Sequence, residues 1–446
     1  LTKTKQSLIN NVTMKNKAIS RREFLRQSRN ITIGVGAGLA LPNIFLNQTK
    51  AQTGENPSEF IRVGFIGVGG QGKSNMRALI KNAVAVCDVD KEHLKSAHDM
   101  IVKAIPDRKV ATYGDYRKML EDKSIDAVLI STPDHWHALA AADAMMAGKD
   151  VYCEKPLTLT IYEGQVLVKI ARKYNRILQT GSQQRSDPRF RKACEYVRSG
   201  RLGKIHTVRV GLPGVNWTKE PPVPDSPPPP ELDYDMWLGP APWRPYNKHR
   251  VHYYFRFFWD YSGGQMTNWG AHHLDIAQWG LGMDESGPVE IEGTASYDPQ
   301  KRYEVPEKFT VTYKYANGVT LYCESPSAKN GTTFIGEKGS IYVTRGNIES
   351  DPESILEEPL KETDVHLYES KNHHQNWLEC IKTRKLPICD VAIGHRSATV
   401  CHLGNISIRT QKKIKWDPVK EQIVGDPEVA KWVHKPYRAP WKLPEV

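Results

Sequence analysis

The chain lacks paired cysteines, long hydrophobic runs and a surplus of acidic residues, and each absence removes a class of protein. Its seven cysteines, Cys87, Cys153, Cys194, Cys323, Cys380, Cys389 and Cys401, are odd in number and show no Cys-x-x-Cys spacing. Neither a disulfide framework nor a cysteine zinc site is indicated, and buried free thiols are expected. Only the run near residues 31–46 approaches membrane-spanning length, and the mean hydropathy is −0.54, which excludes a polytopic membrane protein. The 33 Gly and 29 Pro follow no repeat or low-complexity period. What is present is 446 residues, 39% hydrophobic and 25% charged, enough for two or three domains with a sizeable core and too apolar for disorder.

The formal charge of +12 is concentrated at the start of the chain. Residues 1–51 hold nine Lys+Arg and one acidic residue, Glu23, so the remaining 395 residues carry 53 basic and 49 acidic side chains, a net of +4. Nucleic acid is therefore not an expected partner. Ser20-Arg21-Arg22-Glu23-Phe24-Leu25, a Gly/Ala-rich apolar stretch from Ile31 to Leu46 and a small residue near Ala51 read as a twin-arginine export signal, with Met14 as the start and residues 1–13 as an extension. A periplasmic location follows, with no membrane span after processing. Thr49-Lys50-Ala51 is a poor cleavage pattern, so retention as an uncleaved anchor stays open.

Phe60 to Ile66 has the length and apolarity of a strand. It runs into Gly67-Val68-Gly69-Gly70-Gln71-Gly72, after which Lys73 to Ile80 reads as a helix. Strand, Gly-x-Gly-x-x-Gly and helix together mark a dinucleotide site. Gly67 makes the tight turn, Gly69 and Gln71 lie where the backbone meets the pyrophosphate, and Gly72 lets helix and strand approach. The strand 83–87 ends at Asp88, 21 positions after Gly67. A carboxylate there accepts the ribose hydroxyls of NAD and repels a 2′-phosphate, which favours NAD over NADP. Asp90 reads as a turn residue. Further alternation places strands at 125–131, 151–153 and 177–180, helices at 138–147 and 161–174, and the loop 132–137 between them. The fold class is an α/β Rossmann domain with ligands beyond the strand ends.

These residues resemble the Gfo/Idh/MocA oxidoreductases, which include glucose-fructose oxidoreductase and inositol dehydrogenase. The resemblance rests on the glycine fingerprint, on Ser131-Thr132-Pro133-Asp134-His135-Trp136-His137, on Glu154-Lys155-Pro156, and on Gly263 through Asp275 with its Ala271-His272-His273-Leu274 core. It implies a second, α+β domain on a large, mostly antiparallel open sheet, NAD(P)-dependent chemistry on sugars or cyclitols, and a homodimer or homotetramer. The domains expected are 58–182 for the cofactor and 183–446 for substrate and oligomerisation, with packing of the C-terminal helices back onto the first domain left open. The sheet is legible on its own terms. Phe309, Val311, Tyr313 and Tyr315 alternate with polar residues, Asn317-Gly318 supplies a turn, and Val319, Leu321 and Cys323 alternate again. Segments 205–210, 289–292, 333–335 and 341–343 add strands.

Cofactor contacts are expected from Gly67, Gly69, Gln71, Gly72, Asp88, Ser131, Thr132, Pro133, His135, His137, Glu154 and Lys155. The stretch 267–280 reads as one helix with Asn268, His272 and Asp275 on one face and His273 turned elsewhere. The family pattern implies that Lys155 and an Asp-x-x-x-His pair contact the sugar, with His as acid/base. Here Lys155 and His272 match and Asn268 replaces the Asp. Oxidising a secondary alcohol requires a base near neutrality and a cation for the developing alkoxide, which His272 and Lys155 supply. Asn268 cannot add charge to His272, whereas Asp275 could, so Lys155, Asn268, His272 and Asp275 form the expected substrate set. The aromatic run 252–261 could stack on sugar faces or pack internally, and 221–230 reads as a solvated polyproline loop. No metal site is expected, since His373 and His374 have no carboxylate at helical spacing. Three functions remain: an exported oxidoreductase with tightly bound NAD, a glycosidase or lyase that oxidises transiently and recycles its cofactor, and a non-catalytic carbohydrate-binding relative.

Overall fold

Central strands of a parallel sheet are covered on both faces, so they must be apolar throughout. In the computed structural model, which describes residues 60–446, β1 (Val63–Ile66), β4 (Ala127–Ile130) and β5 (Asp150–Cys153) are buried at every position. The export signal and extension expected in residues 1–51 lie outside the described residues. With β2 (Ala83–Cys87), β3 (Ala111–Tyr113) and β6 (Leu178–Thr180), these strands form a six-stranded parallel sheet in the order β3-β2-β1-β4-β5-β6. Helices α1 (Gly70–Ala78), α2 (Lys91–Ala104), α3 (Tyr116–Glu121), α4 (Asp134–Met146) and α5 (Ile161–Lys173) connect them. The order reverses between β1 and β4, the place where such sheets open a ligand crevice. Local chemistry sets the helix starts. Asp90 caps α2 by accepting from the amides of Glu92 and His93, and Thr160 with Glu163 forms a capping box on α5.

Helix α4 begins earlier than the sequence suggests, since residues 134–137 are its first turn and not a loop. This difference re-aims two histidines, as described below.

After α6 (Pro188–Arg198) the chain builds a nine-stranded sheet from β7 (Ile205–Gly211), β8 (Glu290–Ser296), β9 (Lys308–Lys314), β10 (Thr320–Ser325), β11 (Gly331–Gly336), β12 (Gly339–Thr344), β13 (Asn347–Asp351), β14 (Ile414–Asp417) and β15 (Gln422–Ile423). Its order is β13-β12-β11-β7-β10-β9-β8-β14-β15, with β7 and β10 parallel and the other pairs antiparallel. The turn at Gly318, φ +88°, joins β9 to β10 in the expected hairpin. One face of this sheet, with Phe309, Val311, Tyr313, Leu321 and Cys323, packs on α9 (Gly270–Leu281) and α12 (Val391–Thr410) through Leu274, Ala277, Val400 and Leu403. The intervening short helices are α7 (Tyr234–Leu238), α8 (Gly264–Asn268), α10 (Ser354–Glu357) and α11 (His373–Thr383), with α13 (Pro427–Ala430) near the end. Trp377 of α11 is fully buried in the core that includes Val63, Phe65 and Tyr152, and Trp441 stacks edge-on against Trp136. The C-terminal third of the chain thus returns to the Rossmann sheet.

Asp275 and Arg185 tie these layers together. The Arg185 guanidinium, in the turn after β6, donates to both Asp275 oxygens and to Asp284, and Ser397 of α12 also donates to Asp275. Both members of the pair are at most 1% exposed. Burial opposes charge on Arg185, but the carboxylates outweigh it and hold the guanidinium charged. Breaking such a pair strands a buried charge, at about 3–5 kcal/mol. Asp275→Asn is expected to lower the unfolding free energy by that amount in a urea titration; a loss below about 1 kcal/mol would mean that Asp284 alone suffices for Arg185.

Candidate active site

The crevice at the β1/β4 switch point opens into a cavity of about 650 Å³ lined by both domains. At one end is the glycine turn. A Cβ on Gly67, φ +78°, would lie 2.7 Å from the Thr132 amide nitrogen, and a Cβ on Gly72 would lie 2.0 Å from the Gly67 carbonyl oxygen. These two positions require glycine, and the backbone they leave exposed is the cradle a pyrophosphate needs. Gly69 and Gln71 line the same end, as does Asp88 at the tip of β2. Asp88 accepts from the amides of Val68 and Asp90, so its carboxylate is fixed across the turn; burial pushes its pKa up against those two amides. The glycine cradle, the fixed carboxylate and the cavity fit a dinucleotide.

Ser131, Thr132 and Pro133 follow β4 and line the cavity floor with His137. His137 is buried, with its ring nitrogens against the Pro156 and Thr132 carbonyls, so it props the β4 and β5 loops apart. His135 does not meet the expectation of a cofactor contact. Because residues 134–137 are helical, its ring turns under the Trp237 carbonyl and the rings of Trp237 and Tyr261, and burial pushes its pKa down to about 3. Trp136 lines the cavity instead. Glu154 accepts from Asn75, Gln71 and the Lys155 amide, which fixes the start of the Glu-Lys-Pro loop.

At the other end, Lys155 reaches across to the second domain. Its Nζ donates to both the backbone carbonyl oxygen (2.9 Å) and the side-chain Oδ1 (3.0 Å) of Asn268. This contact explains why 267–280 is not one helix. In an uninterrupted helix the Asn268 carbonyl would accept from the His272 amide. Lys155 occupies it, the His272 amide bonds to Trp269 at 3.0 Å, and α8 ends before α9 begins. Asn268 and His272 still share the cavity wall. Asp275 does not join them. It faces Arg185 and Ser397 beneath the helix and is fully buried, so the expectation that it contacts substrate or raises the basicity of His272 is corrected. His273 turns away, as expected, and stacks on Trp269.

The electrostatics suit a neutral base beside a cation. Burial, then the charges of Lys155 and Arg345, hold His272 well below its ordinary pKa. Its Nδ1 is buried without a hydrogen-bond partner. Burial also lowers Lys155 to about 8, against the attraction of Glu154. Arg345 and Gln183 line the cavity without a signal in the sequence, whereas Arg256 belongs to the aromatic run 252–261. None lies at motif spacing; Arg345 is the turn residue between β12 and β13, a position that marks a hairpin and carries no chemical signal. At the rim, Asp90, His93 and His252 have potential ligand atoms within 4.8 Å of one another. Asp90 and His93 sit together at the start of α2, where Asp90 is the cap, and His252 joins them from far along the chain.

A switch-point glycine cradle beside a lysine of the first domain that faces a histidine of a second, sheet-based domain defines a dinucleotide-binding oxidoreductase architecture. Residues 61–182 match "Oxidoreductase family, NAD-binding Rossmann fold", and residues 190–443 match "Oxidoreductase family, C-terminal alpha/beta domain". The chain belongs to the Gfo/Idh/MocA oxidoreductase family. It is 37% identical over 165 residues to the alpha-N-acetylgalactosaminidase of Shewanella oneidensis, covering 32% of this chain and 35% of that one. It is 31% identical over 246 residues to the myo-inositol 2-dehydrogenase of Thermotoga maritima, covering 54% and 60%. The chain thus spans about a third of the length of the Shewanella relatives it matches. Among solved structures, the WlbA dehydrogenase of Bordetella pertussis in complex with NADH and UDP-GlcNAcA superposes with TM-score 0.60 at 20% identity, over 80% of this chain and 99% of that one. The aldose-aldose oxidoreductase of Caulobacter crescentus gives 0.59 at 19%, over 80% and 99%. At these identities the likeness concerns the fold.

Lys155 is a cation below about pH 8 and loses its charge above it. Any activity that depends on the ammonium should therefore fall as pH rises through that value. Asn268→Asp places a carboxylate against Nζ, which favours the charged form; the alkaline limb of the pH–rate profile is expected to move upward by about one unit or more. An unmoved limb would detach that limb from Lys155.

Proposed function

We propose that the protein is an NAD-dependent oxidoreductase acting on a secondary alcohol of a sugar or cyclitol. The observation that carries this reading is a buried, neutral His272 with an unpartnered Nδ1, set beside the Lys155 ammonium in the same cavity as the glycine cradle. Lys155 binds the substrate oxygen and favours its negative form, and His272 accepts the hydroxyl proton. A nicotinamide dinucleotide held by the glycine cradle and Asp88 would supply the acceptor for the carbinol hydride. Asn268 orients Lys155 without neutralising it, and Asp134, bonded to Ser262, closes the floor behind.

Asp88 supports NAD over NADP, because a carboxylate fixed at the ribose position repels a 2′-phosphate. The twin-arginine pattern at Arg21-Arg22 supports export to the periplasm with the cofactor already bound, and a large sheet with one face left uncovered suits a homodimer or homotetramer. Asp88→Ser is expected to shift the NADH:NADPH affinity ratio at least tenfold toward NADPH in fluorescence titrations; an unchanged ratio would remove Asp88 from ribose recognition.

A second reading is favoured by the 37% identical stretch shared with a glycosidase. Transient oxidation, elimination of the glycosidic oxygen, addition of water to the resulting double bond and re-reduction would hydrolyse a glycosidic bond with no net change in cofactor. Product analysis separates the two. Stoichiometric NADH with an oxidised sugar supports the oxidoreductase, whereas free sugar without NADH supports the glycosidase. Lys155→Ala should lower turnover by at least a hundredfold in either case, and unchanged product formation would remove Lys155 from the chemistry.

A further inference from the structure

The substrate end of the cavity carries more positive charge than a neutral sugar uses. Lys155, Arg256 and Arg345 all line it, and among the described residues no carboxylate forms an ion pair with any of the three. Glu154 and Asp187 attract Arg345 only from beyond ion-pair distance, and the nearby carboxylates have closer hydrogen-bond partners, Asp187 with Arg189 among them. Asp134 accepts from Ser262, Glu154 from Asn75 and Gln71, and Asp88 from two backbone amides at the far end.

Arg345 is also built into place. It occupies the turn between β12 and β13, where Gly346 at φ +90° reverses the chain. Its guanidinium lies 4.8 Å from the centre of the Trp269 ring. With the Gln184 amide turned so that both of its ends are satisfied, the Arg345 Nε donates to the Gln184 side-chain oxygen at 3.2 Å and the Gln184 nitrogen donates to the His272 carbonyl at 3.1 Å. Stacking and one hydrogen bond thus fix the plane of the fork beside the helix that bears the base, with both terminal nitrogens unclaimed by a carboxylate. Arg256 is held differently. It donates to the Tyr253 carbonyl and packs against the Tyr253 and Phe255 rings, so it adds charge to the wall without the same anchoring at the base.

A planar fork with two free, coplanar N–H groups matches the two oxygens of a carboxylate better than any single-point anion. We propose that the substrate is a sugar acid, whose carboxylate pairs bidentately with Arg345 while a ring hydroxyl sits at Lys155 and His272. This rests on the oxidoreductase reading of the cavity and names the substrate class for it. The pairing also acts on the chemistry. Arg345 disfavours a proton on His272, and a bound carboxylate cancels that field, so an acidic substrate makes its own base stronger as it binds.

The test titrates the protein as purified, and the same protein loaded with NADH, with D-glucuronate, D-galacturonate, D-glucose, D-galactose and D-glucose 6-phosphate, reading heat and NADH fluorescence. Each uronate is expected to bind at least tenfold more tightly than its neutral parent. Arg345→Gln should bring each pair within about twofold, and Arg345→Lys, a point charge without the fork, should fall between. NADH affinity and circular dichroism should be unchanged in both variants. The proposal is overturned if neutral parents bind as well as the acids, if the preference survives Arg345→Gln, if glucose 6-phosphate exceeds both uronates, or if no uronate binds. Oxidation of neutral sugars without acid preference would sink this proposal and keep the oxidoreductase reading; failure to bind NADH would sink that reading, and the heats of the unloaded protein would still report the acid preference.

Discussion

One ammonium group joins the two halves of the site. Lys155 leaves the C-terminal end of β5 and takes the Asn268 carbonyl that helix geometry would assign to His272. An unmade backbone bond in a buried helix is costly, and the lysine makes good the loss while the His272 amide finds Trp269. The consequence is positional. His272 is set relative to Lys155 by a shortened turn, and Lys155 is set relative to the glycine cradle by the parallel sheet. The glycine cradle, the ammonium and the imidazole are thus aligned by main-chain geometry and not by flexible side chains alone, which is the kind of support a reaction site needs.

Arg185 and Asp275 anchor the same helix from below. Replacing a buried ion pair by apolar residues is often neutral for stability, so its value here lies in direction. A guanidinium has few ways to satisfy two carboxylates and a stacked ring at once, and Arg185 does so with Asp275, Asp284 and Trp279. That fixes the rotation of α9 about its axis. With Asp275 bound downward, His272, three residues earlier, is held at the cavity, and His273 is left to pack on Trp269. Three positions of one motif are therefore placed for three separate duties: His272 in the cavity wall, His273 in packing and Asp275 as anchor.

The parts of the molecule that local rules determine were legible in the sequence. The glycine turn, Asp88 at its fixed interval, the buried strands β1, β4 and β5, and the β9–β10 hairpin with its Asn-Gly turn all follow from periodicity and backbone sterics, and all are found at or near the expected positions. Lys155, Asn268 and His272 also converge on one cavity. What was not legible depends on partners far away in the chain. Gly270 is the one local hint of a break in 267–280, and the contact that marks it comes from a lysine 113 residues before Asn268. Asp275 looks like a ligand on a helical wheel, since only the fold reveals that Arg185 claims it. His135 and His137 look equivalent until α4 starts at residue 134 and turns one ring away.

The same distinction bears on Asn268. Judged by charge, an amide in place of a carboxylate weakens the site, because nothing on α8 then offsets Lys155. Judged by geometry, the replacement loses little: Oδ1 and the backbone carbonyl still hold the ammonium, and Nδ2 still finds Gln265. The net effect is a cavity whose cations are held in position but not neutralised by the protein. A lysine lowered to about 8 and an imidazole kept uncharged are both consequences of burial beside unpaired positive charge. Substituting an acid for that amide would relieve both, at the expense of the field that an anionic ligand would otherwise complete. Asn268 and the unpaired Arg345 are thus two aspects of one design, in which negative charge is left for the ligand to bring.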